Sequence, residues 1–120
     1  MAISPDFQDY LYELFEPVGT VKVKRMFGGA GVFYRDIMIA LISAEQVYLK
    51  ADAITEPRFE EEGLDAFVYE TKDGKRTVMS YRLMPDRAYD DPDELKEWAE
   101  LAIEAAFRAV AKKPSRKKKT

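Results

Sequence analysis

The spacing of apolar residues predicts a helix near the N-terminus. Ser4 is a suitable N-cap, Pro5 suits a first helical turn, and the negative charge of Asp6 suits a helix start. The apolar residues that follow recur at helical spacing: Phe7, Tyr10, Leu11, Leu14 and Phe15. Pro17 and Gly19 then interrupt the pattern, so we expect the helix to end there.

Alternating polar and apolar residues next predict four strands. The segment TVKVKRMF alternates and indicates a strand with one basic face, on which Lys22 and Lys24 lie. In GVFYRDIMIALIS we expect two strands separated by a tight connection near Arg35 and Asp36, and EQVYLKA indicates a fourth strand.

The third of these strands is apolar on both sides. Its alternating sets are Ile37, Ile39 and Leu41 against Met38, Ala40 and Ile42. Such a strand is typical of the centre of a sheet. If helices cover only one face of that sheet, the second apolar set requires another cover, and a partner subunit in a homodimer is one candidate.

The second half of the chain predicts a short helix, a hairpin and a long helix. Thr55 is a suitable cap for the short helix and Gly63 a suitable stop. Asp73-Gly74 lies between two β-rich runs and is typical of a two-residue hairpin turn. Asp91 as N-cap with Glu94 three residues later approximates a capping box, and a helix of about 20 residues with one wide apolar face follows.

This order of elements predicts the fold class. Helix, four strands, short helix, two strands and long helix, with hairpin-length connections, favour a two-layer α+β fold. We expect a mainly antiparallel sheet of about six strands with N- and C-terminal helices. The length of 120 residues suits one small domain, which we place at residues 1–111, followed by a disordered basic tail at 112–120.

Composition limits the chemistry. The chain contains no cysteine and no histidine, which excludes disulfides, thiolate nucleophiles, Cys/His zinc sites and histidine-based triads. We therefore expect a protein that is not an enzyme and assign no catalytic residue, cofactor or metal site. No apolar run approaches the roughly 20 residues of a membrane span, and the N-terminus lacks a signal-peptide pattern, so we expect a cytoplasmic protein with no membrane partner.

Charge is distributed unevenly along the chain. The tail KKPSRKKKT holds six of the 19 Lys and Arg residues and none of the 22 Asp and Glu residues, which leaves residues 1–111 with a net charge of −9. One interpretation of the tail is a solvated, disordered end. The other is an electrostatic arm that binds nucleic acid or another polyanion weakly and without specificity, since it carries no aromatic residue for base stacking. The residues of that arm are Lys112, Lys113, Arg116, Lys117, Lys118 and Lys119.

The segment KRMFGGAGVFY contains three glycines, Gly28, Gly29 and Gly31. It is followed by more β pattern and lacks both the helix of a dinucleotide fingerprint and the Gly-Lys-Ser/Thr of a Walker motif. Two interpretations remain. The glycines can form a bulge or turn that needs positive φ and close backbone approach, or they can form a small anion or partner site with Lys24 and Arg25.

The run VKVKRMFGGAGVFYRDIMIALIS, followed by VYLKAD, resembles the N-terminal domain of the TfoX (Sxy) family, regulators associated with bacterial competence. The resemblance extends from the first helix to YRLMP. Full-length members carry a second helical domain, so this chain is similar to stand-alone N-terminal-domain members. The residues that carry the signature and form a candidate partner site are Lys24, Arg25, Met26, Phe27, Gly28, Gly29, Gly31 and Phe33.

The resemblance implies a two-layer α+β domain similar to secretion-chaperone-like folds, a non-enzymatic role, and involvement in transcriptional control of DNA-uptake genes. The first hypothesis is thus a protein-interaction module whose partner is unknown, with the transcription machinery as one candidate. The alternative is a nucleic-acid binder that uses the tail and a face formed by Lys22, Lys24 and Arg25. A third hypothesis is a small-ligand carrier or enzyme that uses the glycine turn with Lys24, Arg25 or Tyr34.

Overall fold

The computed structural model of the chain describes residues 5–26, 29–70 and 72–112. The predicted cap Ser4, the signature residues Phe27 and Gly28, and the tail from residue 113 onward lie outside the described residues. The elements in chain order are α1 (Pro5–Leu14), a 3₁₀ turn (Glu16–Val18), β1 (Lys22–Met26), β2 (Gly29–Tyr34), β3 (Ile37–Ser43), β4 (Gln46–Lys50), α2 (Glu56–Glu61), β5 (Ala66–Glu70), β6 (Arg76–Leu83), α3 (Arg87–Asp90) and α4 (Pro92–Lys112).

The strands form one six-stranded sheet in the order β1-β2-β3-β4-β6-β5. Every neighbouring pair is antiparallel. Helix α1 contacts β1, α4 contacts β3 and β4, and α2 contacts β6. These helices and one face of the sheet bury a single apolar core, in which Leu11, Phe15, Ile39 and Trp98 are almost completely buried. The predicted two-layer α+β architecture is confirmed.

The register of β3 contains a bulge that changes which side chains share a face. Val32 pairs with Ala40 but Phe33 pairs with Met38, so Ile39 is an extra residue in the ladder. Ile39 and Ala40 are both fully buried. The strict alternation predicted from the sequence is therefore wrong. The core side holds Ile37, Ile39, Ala40 and Ile42, and the opposite side holds Met38, Leu41 and Ser43.

The two-residue hairpin turns of the structure are not at Asp73-Gly74, where the sequence predicts such a turn most clearly. Two-residue turns occur at 35–36 and 44–45, where all four residues have positive φ although none is glycine. The connection near Arg35 and Asp36 is thus confirmed. In contrast, Glu70 pairs with Arg76, so the β5–β6 connection spans residues 71–75 and the predicted two-residue turn at Asp73-Gly74 is wrong.

The start of α4 combines a confirmed cap with a corrected one. The Asp91 carboxylate accepts a hydrogen bond from the Asp93 N–H at 3.0 Å, as expected of an N-cap. Glu94 does not close a capping box. Its carboxylate instead accepts hydrogen bonds from the Trp98 indole N–H and from Arg87 Nε, each at 3.0 Å, and thereby joins α3 to α4.

The start of α2 is also held differently from the prediction. Thr55 precedes the helix, but its hydroxyl accepts a hydrogen bond from the Asp52 N–H at 3.0 Å rather than from the helix N-terminus. The Asp52 carboxylate accepts from the N–H groups of Ile54 and Thr55 and from the Arg108 guanidinium of α4. Gly63, with φ of 67°, ends α2 as predicted.

Candidate functional site

The helices pack on one face of the sheet, and the other face, which we call the open face, is largely apolar. Because side chains alternate along a strand, three features determine which residues point to it: the strand registers, the bulge in β3 and the register shift between Ala66 and Val68 of β5. The open face carries Lys22, Lys24, Met26, Gly31, Phe33, Met38, Leu41, Ser43, Tyr48, Lys50, Phe67, Tyr69, Met79 and Tyr81.

A groove of about 400 Å³ lies in the open face. It is lined by residues from β1, β3, β5 and β6: Met26, Met38, Leu41, Ile42, Ser43, Phe67, Tyr69 and Met79. Strands β1 and β5 are the two edges of the sheet, about 24 Å apart if the sheet were flat at roughly 4.8 Å per strand. A groove lined from both edges therefore requires a strongly curled sheet whose open face is concave.

Gly31 lies beneath the lining of this groove. A Cβ at Gly31 would lie 2.9 Å from Met38 Sδ, 3.1 Å from the Phe33 ring and 3.2 Å from Met26 Cε. The absence of a side chain thus lets these three groups pack directly over the β2 backbone. The structure describes two of the signature glycines, Gly29 and Gly31, and Gly31 is the one that shapes the groove.

Gly29 has a backbone role. Its Cβ would lie 2.0 Å from the Ile42 carbonyl oxygen, so only glycine allows β2 and β3 to approach this closely. The described glycines with positive φ are Gly19, Gly63 and Gly74. The predicted close approach is therefore present at Gly29, whereas the predicted positive φ is wrong for both Gly29 and Gly31.

The predicted basic face of Lys22, Lys24 and Arg25 is divided by the sheet. Lys24 Nζ lies 5.4 Å from the centre of the Phe33 ring on the open face. Arg25 points to the other face, where its Nε donates a hydrogen bond to Gln8 Oε1 of α1 at 3.2 Å. The prediction of one shared face is wrong because neighbouring residues of a strand point to opposite sides. Lys22 and Lys24 remain together, whereas Arg25 lies on the other side of β1.

Tyr34, the aromatic residue considered for ligand or catalytic chemistry, also lies on the helix side. Its ring centre is 6.3 Å from that of Phe107 of α4. Among the described residues that line the groove beside Gly31, two have polar side chains, Ser43 and Tyr69. The described residues contain no group of three or more Asp and Glu side chains placed to bind a metal ion. Within the same residues, no helix has the length and apolar character needed to span a membrane.

The sheet and the helical layer differ in charge. The six strands contain a single carboxylate, Glu70, which is paired with Arg76 on the face away from the groove. On the open face, Lys22 and Lys24 lie on the edge strand β1. Lys50 lies on the interior strand β4, where its Nζ donates a hydrogen bond to Ser80 Oγ at 2.8 Å and lies 5.2 Å from the centre of the Tyr81 ring. Two basic side chains therefore lie on the edge strand that contributes Met26 to the groove, although the chain as a whole has a net charge of −3.

Most aromatic rings of the open face are already covered. Tyr48 and Phe67 pack edge to face with their centres 5.1 Å apart. Phe33 and Tyr81 lie beneath lysine ammonium groups. Among the described residues of this face, Tyr69 is the large apolar side chain that remains exposed to solvent, with 46% of its surface accessible.

Sequence reasoning found the β1–β3 part of this surface and missed its second half. Phe67, Tyr69 and Met79 were treated only as parts of a hairpin. The available signals were the apolar run AFVY at residues 66–69 and the alternation at the end of RTVMSYRL, where Met79, Tyr81 and Leu83 alternate with polar residues. What the alternation could not show is that the sheet curls enough to bring these residues opposite Met26.

The structure thus defines a small two-layer α+β domain with an apolar, basic-edged sheet face that its described helices leave open. The sequence model of the TfoX N-terminal domain matches residues 13–106, and the chain belongs to this family. It is also similar to the DNA transformation protein TfoX1 of Aliivibrio fischeri (strain ATCC 700601 / ES114), with 28% identity over 71 residues. That alignment covers 59% of this chain and 34% of the relative, so the chain spans about a third of that protein's length.

Proposed function

We propose that this protein is a non-enzymatic interaction module in bacterial transcriptional regulation, of the kind that controls DNA uptake, and that its partner protein binds the open face. The observation that carries the proposal is the apolar groove, because a contiguous apolar surface is costly to leave in water and usually marks a binding site. Family membership and the name of the similar DNA transformation protein support the regulatory part.

The composition of the groove suits a protein partner. Three of its lining residues are methionines, Met26, Met38 and Met79, whose flexible, polarisable side chains adapt to the shape of a bound segment. Tyr69 adds an accessible aromatic side chain with a polar hydroxyl, a residue type that is frequent in the energetic centres of interfaces. Because Gly31 has no side chain, the groove lining packs directly over the β2 backbone.

A matched pair of substitutions tests the proposal. Tyr69→Glu places a charge in the groove, whereas Val78→Glu changes a 69% exposed residue of the same hairpin that points to the other face. Because both positions are exposed, we expect both variants to fold, and circular dichroism checks that they do. We expect that affinity capture from native lysate, with nuclease present, recovers a defined protein with the wild type and the Val78 variant but not with the Tyr69 variant.

The regulatory part is tested in the same pair. Transcripts of DNA-uptake genes are expected to change in a strain that carries Tyr69→Glu and to stay at the wild-type level with Val78→Glu. A chain ending at residue 111 is expected to retain the partner, since the groove lies in the sheet. Recovery of nucleic acid alone, lost with that truncation, would replace the proposal with electrostatic binding through the tail.

A further inference from the structure

We infer that the groove binds an acidic amphipathic helix of the partner, whose apolar side chains enter the groove and whose carboxylates approach Lys22 and Lys24. This inference rests on the proposed function and specifies the chemistry of the partner. Helices bind apolar grooves through residues spaced three or four apart, which leaves the remaining positions free to contact the rim.

The size and position of the groove suit a helix lying across the sheet. Its volume of about 400 Å³ accommodates a few large apolar side chains. Both edge strands contribute to the lining, so the bound segment lies within the concave face rather than extending the sheet at β1 or β5. Met26 and Met79, at opposite sides of the groove, provide adaptable contacts on both flanks of such a helix.

Charge complementarity selects an acidic partner. Lys22 and Lys24 belong to the open face on β1, the edge strand that also contributes Met26 to the groove, and the single carboxylate of the six strands, Glu70, points away from that face. Positive potential at the rim attracts a segment with Glu or Asp beside its apolar residues and disfavours a basic one. The acidic charge of the molecule lies in helices and loops, where α1 and the start of α4 carry several carboxylates.

Charge and exposure argue against the other occupants. A second copy docked face to face about a two-fold axis would bring the same lysines of both chains towards one interface, which is unfavourable. Residues 113–120 of the chain itself are basic and contain no apolar side chain except that of Pro114, so they do not suit an apolar groove beside Lys22 and Lys24. Single-stranded nucleic acid needs accessible aromatic rings for stacking, whereas Phe33 and Tyr81 are covered by lysines.

The test uses three synthetic helical peptides of about 15 residues with identical leucines at helical spacing. Their other positions carry mainly Glu, Gln or Lys. Binding is measured by fluorescence anisotropy at low and high salt. We expect the Glu peptide to bind about tenfold more tightly than the Gln peptide at low salt, from a few solvent-exposed ion pairs, and the Lys peptide to bind most weakly. High salt is expected to remove most of that difference.

Charge reversal separates rim electrostatics from net charge. Lys24→Glu is expected to lower the affinity for the Glu peptide and to raise the affinity for the Lys peptide. Lys96→Glu makes the same change of net charge on the exposed side of α4 and is expected to leave all three affinities within about twofold of the wild type, because a charge beyond a Debye length is screened. Tyr69→Glu is expected to lower the affinity for all three peptides, whereas Val78→Glu is expected to leave these affinities unchanged.

The outcomes separate the two proposals. Equal affinity for the Glu and Gln peptides, or an equal effect of Lys24→Glu and Lys96→Glu, would overturn the inferred partner chemistry. If no peptide binds while the captured lysate protein still requires Tyr69, this inference fails and the proposed function stands. If capture of that protein is also unaffected by Tyr69→Glu, both this inference and the proposed function fail. An oligonucleotide that displaces the Glu peptide, or a dimer in sedimentation that Tyr69→Glu dissociates, would replace the inferred helix with nucleic acid or a second copy.

Discussion

The contact between Asp52 and Arg108 yields a quantitative prediction about acid stability. Asp52 follows β4, and its carboxylate accepts hydrogen bonds from Arg108 Nε at 2.7 Å and Nη2 at 3.1 Å. The N–H groups of Ile54 and Thr55 donate to the same carboxylate at 3.1 Å each. These hydrogen bonds, chiefly those from Arg108, lower the pKa of Asp52 from 3.8 to about 2.

The sign of the effect follows from proton linkage. The folded chain binds a proton at Asp52 more weakly than the unfolded chain does, so the stabilisation is complete above about pH 4 and is lost as the pH falls from 3.8 to about 2. At about 1.4 kcal/mol per pKa unit the upper limit is about 2.5 kcal/mol. Because the Asp52 side chain is 26% exposed and the Arg108 side chain 33%, solvent screening reduces the expected contribution to about 1 kcal/mol.

The assay compares the wild type with Asp52→Asn by urea unfolding between pH 7 and pH 2. Trp98, the single tryptophan of the chain, is buried and provides a fluorescence signal. We expect the wild type to be more stable by about 1 kcal/mol at pH 7, or roughly 4 °C in the melting temperature, and the difference to vanish towards pH 2. In an Arg108→Gln background the effect of Asp52→Asn is expected to shrink. A difference that does not change with pH, or that persists in full without Arg108, would refute the reasoning.

Four further variants test the backbone and the packing by urea unfolding. Gly29→Ala places a methyl group about 2.0 Å from a β3 carbonyl oxygen and is expected to cost more than about 3 kcal/mol, whereas Gly31→Ala meets flexible side-chain ends and is expected to cost less than about 1.5 kcal/mol; similar costs would contradict this. Replacing Ala44 and Glu45 by Asn and Gly is expected to add about 1 kcal/mol, because both have positive φ, and an unchanged midpoint would contradict it. Tyr89→Phe removes the hydroxyl that accepts a β4 N–H at 2.9 Å and is expected to cost about 1 kcal/mol and to speed exchange of that amide.

The order and type of the other elements were predictable because each has its own periodic signal, whereas the 3₁₀ turn and the short helix α3 (Arg87–Asp90) were not predicted. The helical spacing from Phe7 onward, the alternation around Val23 and the cap at Asp91 are local properties, and the structure contains the elements they predict. The hairpin turns were less predictable. Asp73-Gly74 matches a preferred two-residue turn, but the pairing of Glu70 with Arg76 makes that connection longer, since strand register is set by packing of the whole sheet.

The faces of the strands depend on single residues that local patterns do not reveal. The sequence pattern groups Leu41 with Ile37 and Ile39, but the bulge at Ile39 places Leu41 on the groove side, because an inserted residue reverses the alternation beyond it. The curl of the sheet, which brings the β5–β6 side of the groove opposite β1, arises from the cumulative twist of all six strands. Neither property has a signal in a window of a few residues, so half of the candidate site could not be located from the sequence.

The signature segment therefore combines two physical roles that its linear sequence does not separate. Arg25 contacts Gln8 of α1, so Arg25→Ala is expected to act on the attachment of that helix rather than on the groove. Its neighbours Lys24 and Met26 point to the open face, where a substitution changes the rim or the lining directly. A loss of partner binding in an Arg25 variant would consequently not identify the binding surface. The comparison of Tyr69 with Val78 does identify it, because these residues share a hairpin and an exposed environment and differ in the face to which they point.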